Sequence, residues 1–167
     1  MKVVKFGGSS VATASQIQKI IEIIKSDKLR RVVVVSAPGK RNKDDIKVTD
    51  LLIKTAEKVI NNEDYHEPLL NIINRFRDIQ IELNLGSQII AEIQADLHHR
   101  IEQFSGNKNK FLDLMKAAGE DNNAKLIATA FNQAGLSSIY INPGDAGMTL
   151  SDEYGNAEVL KESYSLL

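Results

Sequence analysis

The stretch that decides the fold is residues 2–39, which read KVVKFGGSSVATASQIQKIIEIIKSDKLRRVVVVSAPG. Two short apolar runs, 3–6 and 32–35, are typical of strands, and the unbroken valine block suits a strand covered on both faces. Between them the apolar residues recur at helical spacing: Ile17, Ile20, Ile21 and Ile24. This pattern predicts a βαβ unit over residues 2–37 with its two strands parallel.

The composition excludes several classes of protein. The chain has 167 residues, enough for one ordinary domain, and its 21 Lys and Arg against 22 Asp and Glu give a net charge of −1. It therefore lacks the cationic surface that non-specific nucleic-acid binding needs. It contains no cysteine, which excludes a disulfide scaffold, a zinc–thiolate site and a cysteine nucleophile. No apolar run approaches the roughly 18 residues of a membrane span, and the N-terminus resembles a strand rather than a signal peptide. We expect a cytoplasmic protein without nucleic-acid or membrane partners.

The middle of the chain is helical in its pattern. Thr49 and Asp50 are suited to cap a helix over residues 51–60. Residues 66–104 are patterned as two amphipathic helices, broken near 84–87, that form an antiparallel helical hairpin.

Towards the C-terminus the pattern predicts two further helices and a strand. One helix from about Lys110 is expected to stop near Gly119, and a separate apolar stripe over 124–131 ends at Gly135. Residues 138–141 are expected to form a short third strand. The fold class is therefore three-layer α/β, with a largely parallel central sheet and a helical excursion at about 66–104.

The first candidate site is the loop after the first predicted strand. Glycines at 7 and 8 allow backbone N–H groups to approach an anion, Lys5 supplies a positive charge, and Ser9 supplies a hydroxyl. The helix that follows is expected to direct the positive end of its dipole to the same place. Such groups suit phosphoryl transfer, which depends on positioning and charge neutralisation. The alternative is a tight strand-to-helix turn that binds nothing.

Two further candidates follow from the same topology. Ligands in open α/β sheets bind beyond the carboxyl ends of strands, so Ser36 and Thr49 are expected to face the same cleft as Lys5. From spacing alone, Thr49 is equally suited to capping its helix. Glu120 and Asp121 fall at a predicted helix start, where a structural cap is the simpler interpretation and binding of an ammonium group the functional one.

A series of segments resembles the aspartokinases of the amino acid kinase family. The segment KFGGSSV at 5–11 is similar to their N-terminal signature. The resemblance continues in register through VVVVSAPG at 32–39, KVTDLL at 47–52, GEDNNAKL at 119–126 and the stretch 142–163. It covers essentially the whole chain and is most marked towards the lysine-pathway aspartokinases of Gram-positive bacteria.

The resemblance implies a reaction and a set of phosphate-binding residues. The reaction is ATP-dependent phosphorylation of the β-carboxylate of L-aspartate to 4-phospho-L-aspartate, the first step toward lysine, threonine and methionine. Lys5 would be catalytic and neutralise the transferring phosphoryl group, and Gly7, Gly8 and Ser9 would line the phosphate path. The donor would be ATP with Mg²⁺, and the metal would be held through the nucleotide phosphates.

The resemblance also implies a substrate site. Thr49 and Glu120 would bind L-aspartate, with Glu120 at its α-ammonium group, and Ser36 is a further substrate-side candidate. No residue of the chain is assigned as a metal ligand.

The aspartokinase catalytic domain extends well beyond the matching residues. The resemblance therefore implies that residues 1–167 form a partial amino acid kinase domain, without the ATP-binding half and the ACT regulatory domains. Because phosphoryl transfer needs Mg·ATP in line with its acceptor, we expect little or no kinase activity from this chain alone. The sheet edge and apolar face left uncovered favour self-association, so we expect a homo-oligomer.

Two other functions stay open at this point. One is an amino acid kinase that acts on another carboxylate or on a carbamate, which the KFGGSS start and the acidic segment at 119–122 disfavour. The other is a non-catalytic binding or oligomerisation module, in which the helices at 66–104 make subunit contacts.

Overall fold

The computed structural model describes residues 1–166, and two parallel strands, β1 (Lys2–Phe6) and β2 (Arg30–Val35), form its sheet. Residues 3–6 pair in register with residues 32–35. The connection consists of a 3-10 turn, Gly8–Val11, and helix α1, Ala14–Lys25. Thr13 caps α1 by accepting a hydrogen bond from the Gln16 amide at 3.4 Å. The predicted parallel βαβ unit is confirmed.

The two faces of the sheet differ in burial. Val35 is buried, and Val4, Phe6 and Val33 are half-buried against the helical core. On the opposite face the described residues leave three valines exposed: Val3 at 64%, Val32 at 40% and Val34 at 47%. The expectation that the valine block is covered on both faces is therefore wrong for this part of the chain, because the helices pack on one side only.

Most of the core lies between helices rather than beneath the sheet. The remaining helices are α2 (Val48–Ile60), α3 (His66–Glu82), α4 (Gln88–Glu102), α5 (Lys108–Gln133) and α6 (Ser163–Leu166). Helix α2 packs against α3 and α5, and α4 packs against α5. The α3–α4 pair confirms the predicted helical hairpin, since consecutive helices turn back at 83–87. None of the helices described in residues 1–166 has the length and apolarity that crossing a membrane requires.

Helix α5 runs without a break through the predicted stop at Gly119. A glycine inside a helix costs about 1 kcal/mol relative to alanine, which made a helix end plausible from sequence. Tertiary packing outweighs that cost, because Gly119, Asn122 and Asn123 are all buried against neighbouring elements. The prediction of two separate helices here is wrong, and Glu120 lies in the middle of a helix.

The predicted third strand at 138–141 is also wrong in the described structure. The side chain of Asn132 pairs with the backbone of Ser138, donating to its carbonyl at 2.8 Å and accepting from its amide at 2.9 Å. These are groups that a neighbouring strand would otherwise bind, and Ile139 and Ile141 remain exposed. The mixed α/β class with parallel strands holds, with two strands rather than three in residues 1–166.

Candidate functional site

The loop after β1 turns through the 3-10 segment before α1 begins. The Ser10 amide donates to the Gly7 carbonyl at 2.9 Å, and Val11 is fully buried, which anchors the turn in the core. The next helix, α1, starts only at Ala14. The amides near Gly7 and Gly8 thus belong to the 3-10 turn, and the N-terminus of α1 lies several residues after the glycines, with Thr13 as its N-cap.

The loop after β2 is fixed against this first loop by backbone hydrogen bonds. The Ser36 amide donates to the Phe6 carbonyl at 3.1 Å, and the Gly39 amide donates to the Gly8 carbonyl at 2.9 Å. The Val48 amide, at the start of α2, donates to the Pro38 carbonyl at 3.1 Å. Two strand ends and one helix start are therefore held together around residues 36–39.

The contact between the two loops requires glycine at position 39 and leaves little room for a side chain at position 8. A Cβ on Gly39 would lie 2.6 Å from the Gly8 carbonyl carbon and 2.8 Å from the Ser9 nitrogen. A Cβ on Gly8 would lie 3.1 Å from the Ala37 carbonyl oxygen. The absent side chain of Gly8 therefore makes room for the second loop, whereas the sequence suggested that it makes room for an anion.

An open cleft of about 440 Å³ lies where these loops meet α2 and α5. Five of the seven site residues named from sequence line it: Gly8, Ser9, Ser36, Thr49 and Glu120. They come from four separate parts of the chain, which only the tertiary fold brings together. The cleft is thus a composite site at the carboxyl ends of both strands, the position where α/β folds bind small ligands.

Lys5 and Gly7 lie beside this cleft and are not among the described residues that line it. The Lys5 side chain leaves β1 on the exposed face, and its Nζ lies 3.8 Å from the position that a Cβ on Gly7 would occupy. The ammonium group is therefore at the end of the strand, next to the glycine loop. The sequence predicts that the Lys5 ammonium group and the serine hydroxyls point to one place. Lys5 does not line the cleft, so this expectation is not met.

One turn of helix α5, residues 119–123, packs against the loop after β2. Asn123, fully buried, donates from Nδ2 to the Ser36 carbonyl at 2.6 Å. A Cβ on Gly119 would lie 2.7 Å from the Ala37 Cβ and 3.1 Å from Leu52 Cδ1, so the helix approaches closely only because residue 119 is glycine. Glu120, next along, is exposed and faces the cleft.

A Gly119→Ala variant is expected to be less stable than the parent chain. Overpacking a close contact costs about 1–3 kcal/mol, whereas the better helix propensity of alanine returns at most about 1 kcal/mol. The net loss should be visible as a lower urea midpoint with an unchanged m-value. A midpoint equal to or above that of the parent chain would show that α5 does not approach the second loop this closely.

The position of Glu120 also decides between its two interpretations. It lies near the middle of a 26-residue helix, so it cannot act as a helix cap. Its neighbour Asp121 points elsewhere: its Oδ2 pairs with Arg100 Nη2 at 2.5 Å and with Lys125 Nζ at 3.3 Å. The Asp121 carboxylate is therefore paired with α4, and the Glu120 carboxylate faces the cleft.

Thr49 is likewise not a helix cap. The N-cap of α2 is Lys47, and no side-chain hydrogen bond caps this end of the helix. Thr49 lies within the first turn, half-buried, and lines the cleft.

Sequence reasoning missed two lysines that also line the cleft, Lys40 and Lys47. Within residues 1–166 neither lysine forms an ion pair, and Glu120 forms none either. The lining therefore carries two cations and one anion whose charges are not neutralised by the described chain. Such a charge pattern suits a ligand with two carboxylates and one ammonium group.

The ionic cluster between α4 and α5 contains a carboxylate with a shifted pKa. Burial alone would raise the pKa of Asp96, but hydrogen bonds from Arg100 and Asn122 outweigh it and lower the pKa. The distances are 2.8 Å in both cases. This cluster fixes the two helices to each other and is separate from the cleft.

The described residues hold no group of three His, Asp or Glu side chains arranged to bind a metal ion. His98 and His99 are exposed on α4, and His66 is exposed at the start of α3.

A parallel βαβ unit with a charged cleft at its strand ends is an arrangement typical of α/β proteins that bind small, polar ligands. The chain belongs to the amino acid kinase family, whose model matches residues 1–166. Aspartokinase 3 of Bacillus subtilis is 48% identical over 167 residues, which are 100% of this chain and 37% of that protein. The chain thus spans well under half the length of this relative.

Solved structures agree with this assignment. A crystal structure of aspartate kinase from Clostridium acetobutylicum is 34% identical, with a TM-score of 0.69 over 78% of this chain and 29% of its own. Aspartokinase III of E. coli, crystallised with lysine and aspartate, matches 98% of this chain and 36% of its own at a TM-score of 0.80. At 23% identity the second match concerns the fold alone, and it confirms the expected amino acid kinase-like α/β fold.

Proposed function

We propose that this chain forms the substrate-binding part of an ATP-dependent aspartate kinase. In the reaction an oxygen of the L-aspartate β-carboxylate bonds to the γ-phosphorus of ATP, and the bond from that phosphorus to the β,γ-bridging oxygen breaks. The products are 4-phospho-L-aspartate and ADP. The observation that carries the proposal is the single cleft lined by Gly8, Ser9, Ser36, Thr49 and Glu120, in a chain 48% identical to an aspartokinase.

The charges of the cleft support aspartate as the phosphoryl acceptor. Glu120 is placed to accept hydrogen bonds from the α-ammonium group, a charge-assisted contact of the stronger kind. The hydroxyls of Ser36 and Thr49, which line the same cleft, are available to the carboxylates. Lys40 and Lys47 add the positive charge that an acceptor with two carboxylates requires.

The loop after β1 fits the phosphates of the donor. Lys5 supplies an ammonium group beside Gly7, where no Cβ obstructs the approach, and Ser9 supplies a hydroxyl at the edge of the cleft. The proposal has these residues neutralise and orient the transferred phosphoryl group, which is most of what catalysis of phosphoryl transfer demands. Mg²⁺, bound through the nucleotide phosphates, would neutralise further charge on them.

The partial-domain organisation expected from the resemblance remains part of the proposal. It is supported by coverage, since the 167 residues correspond to 37% of the Bacillus relative. The proposal assigns the adenine site and the ACT domains to residues outside this chain. Assembly into a homo-oligomer and a cytoplasmic location stay predictions, the first supported by the exposed valine face of the sheet.

Binding of the acceptor tests this proposal directly. We expect L-aspartate to shift the NMR amide signals of Ser36, Ala37 and Gly39 and of residues 47–49, and L-asparagine to bind about tenfold more weakly because it lacks one charged partner. N-acetyl-L-glutamate, the acceptor of another amino acid kinase reaction, should leave these signals unchanged. Equal binding of aspartate and asparagine, or preference for N-acetyl-L-glutamate, would contradict aspartate as the acceptor.

A coupled assay of ADP release completes this test. The chain alone is expected to show little or no turnover with ATP and aspartate, because in-line transfer needs both substrates held together. Turnover comparable with that of an intact aspartokinase would contradict the assignment of the nucleotide site to residues outside these 167.

A further inference from the structure

Arg75 lies on α3, carries a buried positive charge and does not line the cleft. Its side chain is only 3% exposed, and burial of a cation is costly unless it is paired and hydrogen-bonded. Its Nη1 lies 2.6 Å from Asp45 Oδ2, and its Nη2 donates to the carbonyl oxygen of Gly39. Both partners belong to the loop between β2 and α2, so one side chain of the helical hairpin binds this loop at two points.

Asp45 is held from its other side by Arg41. Arg41 binds it with both Nε and Nη2 at 3.0 Å, and the Arg41 amide donates to it at 2.8 Å. The hydrogen bond from Arg41 is the main cause that holds the pKa of Asp45 below its usual range, with Arg75 contributing in the same direction. Asp45 is therefore a carboxylate at neutral pH, and residues 39–45 form a closed loop on α3.

Gly39 connects this ionic network to the cleft. Its carbonyl accepts from Arg75, and its amide donates to the Gly8 carbonyl at 2.9 Å. The carbonyl and the amide of Gly39 therefore each have a hydrogen-bond partner, on α3 and in the loop after β1. Lys40, which follows it, lines the cleft.

We propose that Arg75 is a positioning residue of the cleft, which holds Gly39 against Gly8 by binding the Gly39 carbonyl while Asp45 fixes the guanidinium. The ligand-binding part of this inference rests on the proposed function, whereas the docking of the loop does not. A guanidinium is suited to this role because its planar fork reaches two acceptors at once, which the single ammonium group of lysine cannot do in the same geometry.

The variants Arg75→Lys and Asp45→Asn test the inference, with Arg77→Lys as the matched control. Arg77 is on the same helix, and its Nη1 donates to Asn74 on that helix at 2.6 Å. The first readout is native-state hydrogen exchange of the Gly39 amide, measured relative to core amides of α5 such as Leu126. We expect exchange at Gly39 to become roughly tenfold faster in Arg75→Lys and Asp45→Asn and to be unchanged in Arg77→Lys.

The second readout is binding of L-aspartate by NMR titration. We expect the dissociation constant to rise roughly tenfold in both test variants, with that of the control unchanged. If the variants lose stability yet keep the relative exchange rate of Gly39, Arg75 serves packing only and the inference is overturned. If the parent chain does not bind aspartate, the proposed function fails while the exchange data still decide the docking role. Should Arg75→Lys not fold, Asp45→Asn carries the exchange measurement, because it leaves the arginine in place.

Discussion

A Gly39→Ala variant should lose about 1–3 kcal/mol of unfolding free energy, the usual cost of overpacking, and most of its affinity for L-aspartate. The added Cβ would lie 2.6 Å from the Gly8 carbonyl carbon and 2.8 Å from the Ser9 nitrogen. These are backbone atoms, so no side-chain rotation relieves the contact and the two loops must separate. Because Gly8 and Ser9 line the cleft, their separation changes the site as well as the stability.

Gly86→Ala is the matched control for this substitution. A Cβ there meets no heavy atom within 4 Å, since Gly86 is exposed in the turn between α3 and α4. Its unfolding free energy and aspartate affinity should equal those of the parent chain within about 0.5 kcal/mol. Urea unfolding and NMR titration measure both quantities. A Gly39→Ala protein as stable as Gly86→Ala would show that the loops are not in contact.

Glu120→Gln should lower the affinity for L-aspartate at least tenfold while leaving stability nearly unchanged. Hydrogen bonds to a charged partner contribute about 1.5–3 kcal/mol, and glutamine keeps the shape of the side chain but not its charge. Glu120 is exposed, so its contribution to folding is within about 0.5 kcal/mol. The effect should therefore appear in ligand titrations and not in urea unfolding.

Succinate separates the role of Glu120 from a general effect on the cleft, because it is aspartate without the ammonium group. Succinate should bind the parent chain and Glu120→Gln with similar affinity, whereas aspartate should prefer the parent chain. Glu57→Gln, on the exposed face of α2, is the matched control and should bind aspartate like the parent chain. An equal loss of affinity for succinate and aspartate would contradict contact between Glu120 and the ammonium group.

The parts of the fold that sequence predicted correctly are those with a local cause. The isoleucines of α1 specify a helix by their periodicity, the unbroken valines of β2 specify a strand, and the α3–α4 hairpin follows from two amphipathic stripes. The failures have a non-local cause. Gly119 ends no helix because it packs on Ala37, which is 82 positions earlier, and residues 138–141 form no strand because Asn132 binds the Ser138 backbone.

Prediction of the site residues divides in the same way, between those with a local signal and those without one. Ser36, Thr49 and Glu120 followed from strand-end topology and from family resemblance, and the structure places all three in one cleft. Lys40 and Lys47 lie in a loop without apolar periodicity, so nothing in their immediate neighbours distinguishes them from other surface lysines. Arg75 lies on an amphipathic helix, and its role depends on a loop 36 residues away.

The length of helix α5 connects the cleft to the tip of the helical hairpin. Its 26 residues make an unbroken rod of about 39 Å at 1.5 Å per residue. Near the middle it carries both Glu120 and the amide that holds Ser36, and near its end Gln133 donates to the Leu83 carbonyl at the hairpin tip at 3.0 Å. A tilt of this rod would move Glu120 and the support of Ser36 together, so a change at the hairpin tip would reach the cleft without substitution of any residue that lines it.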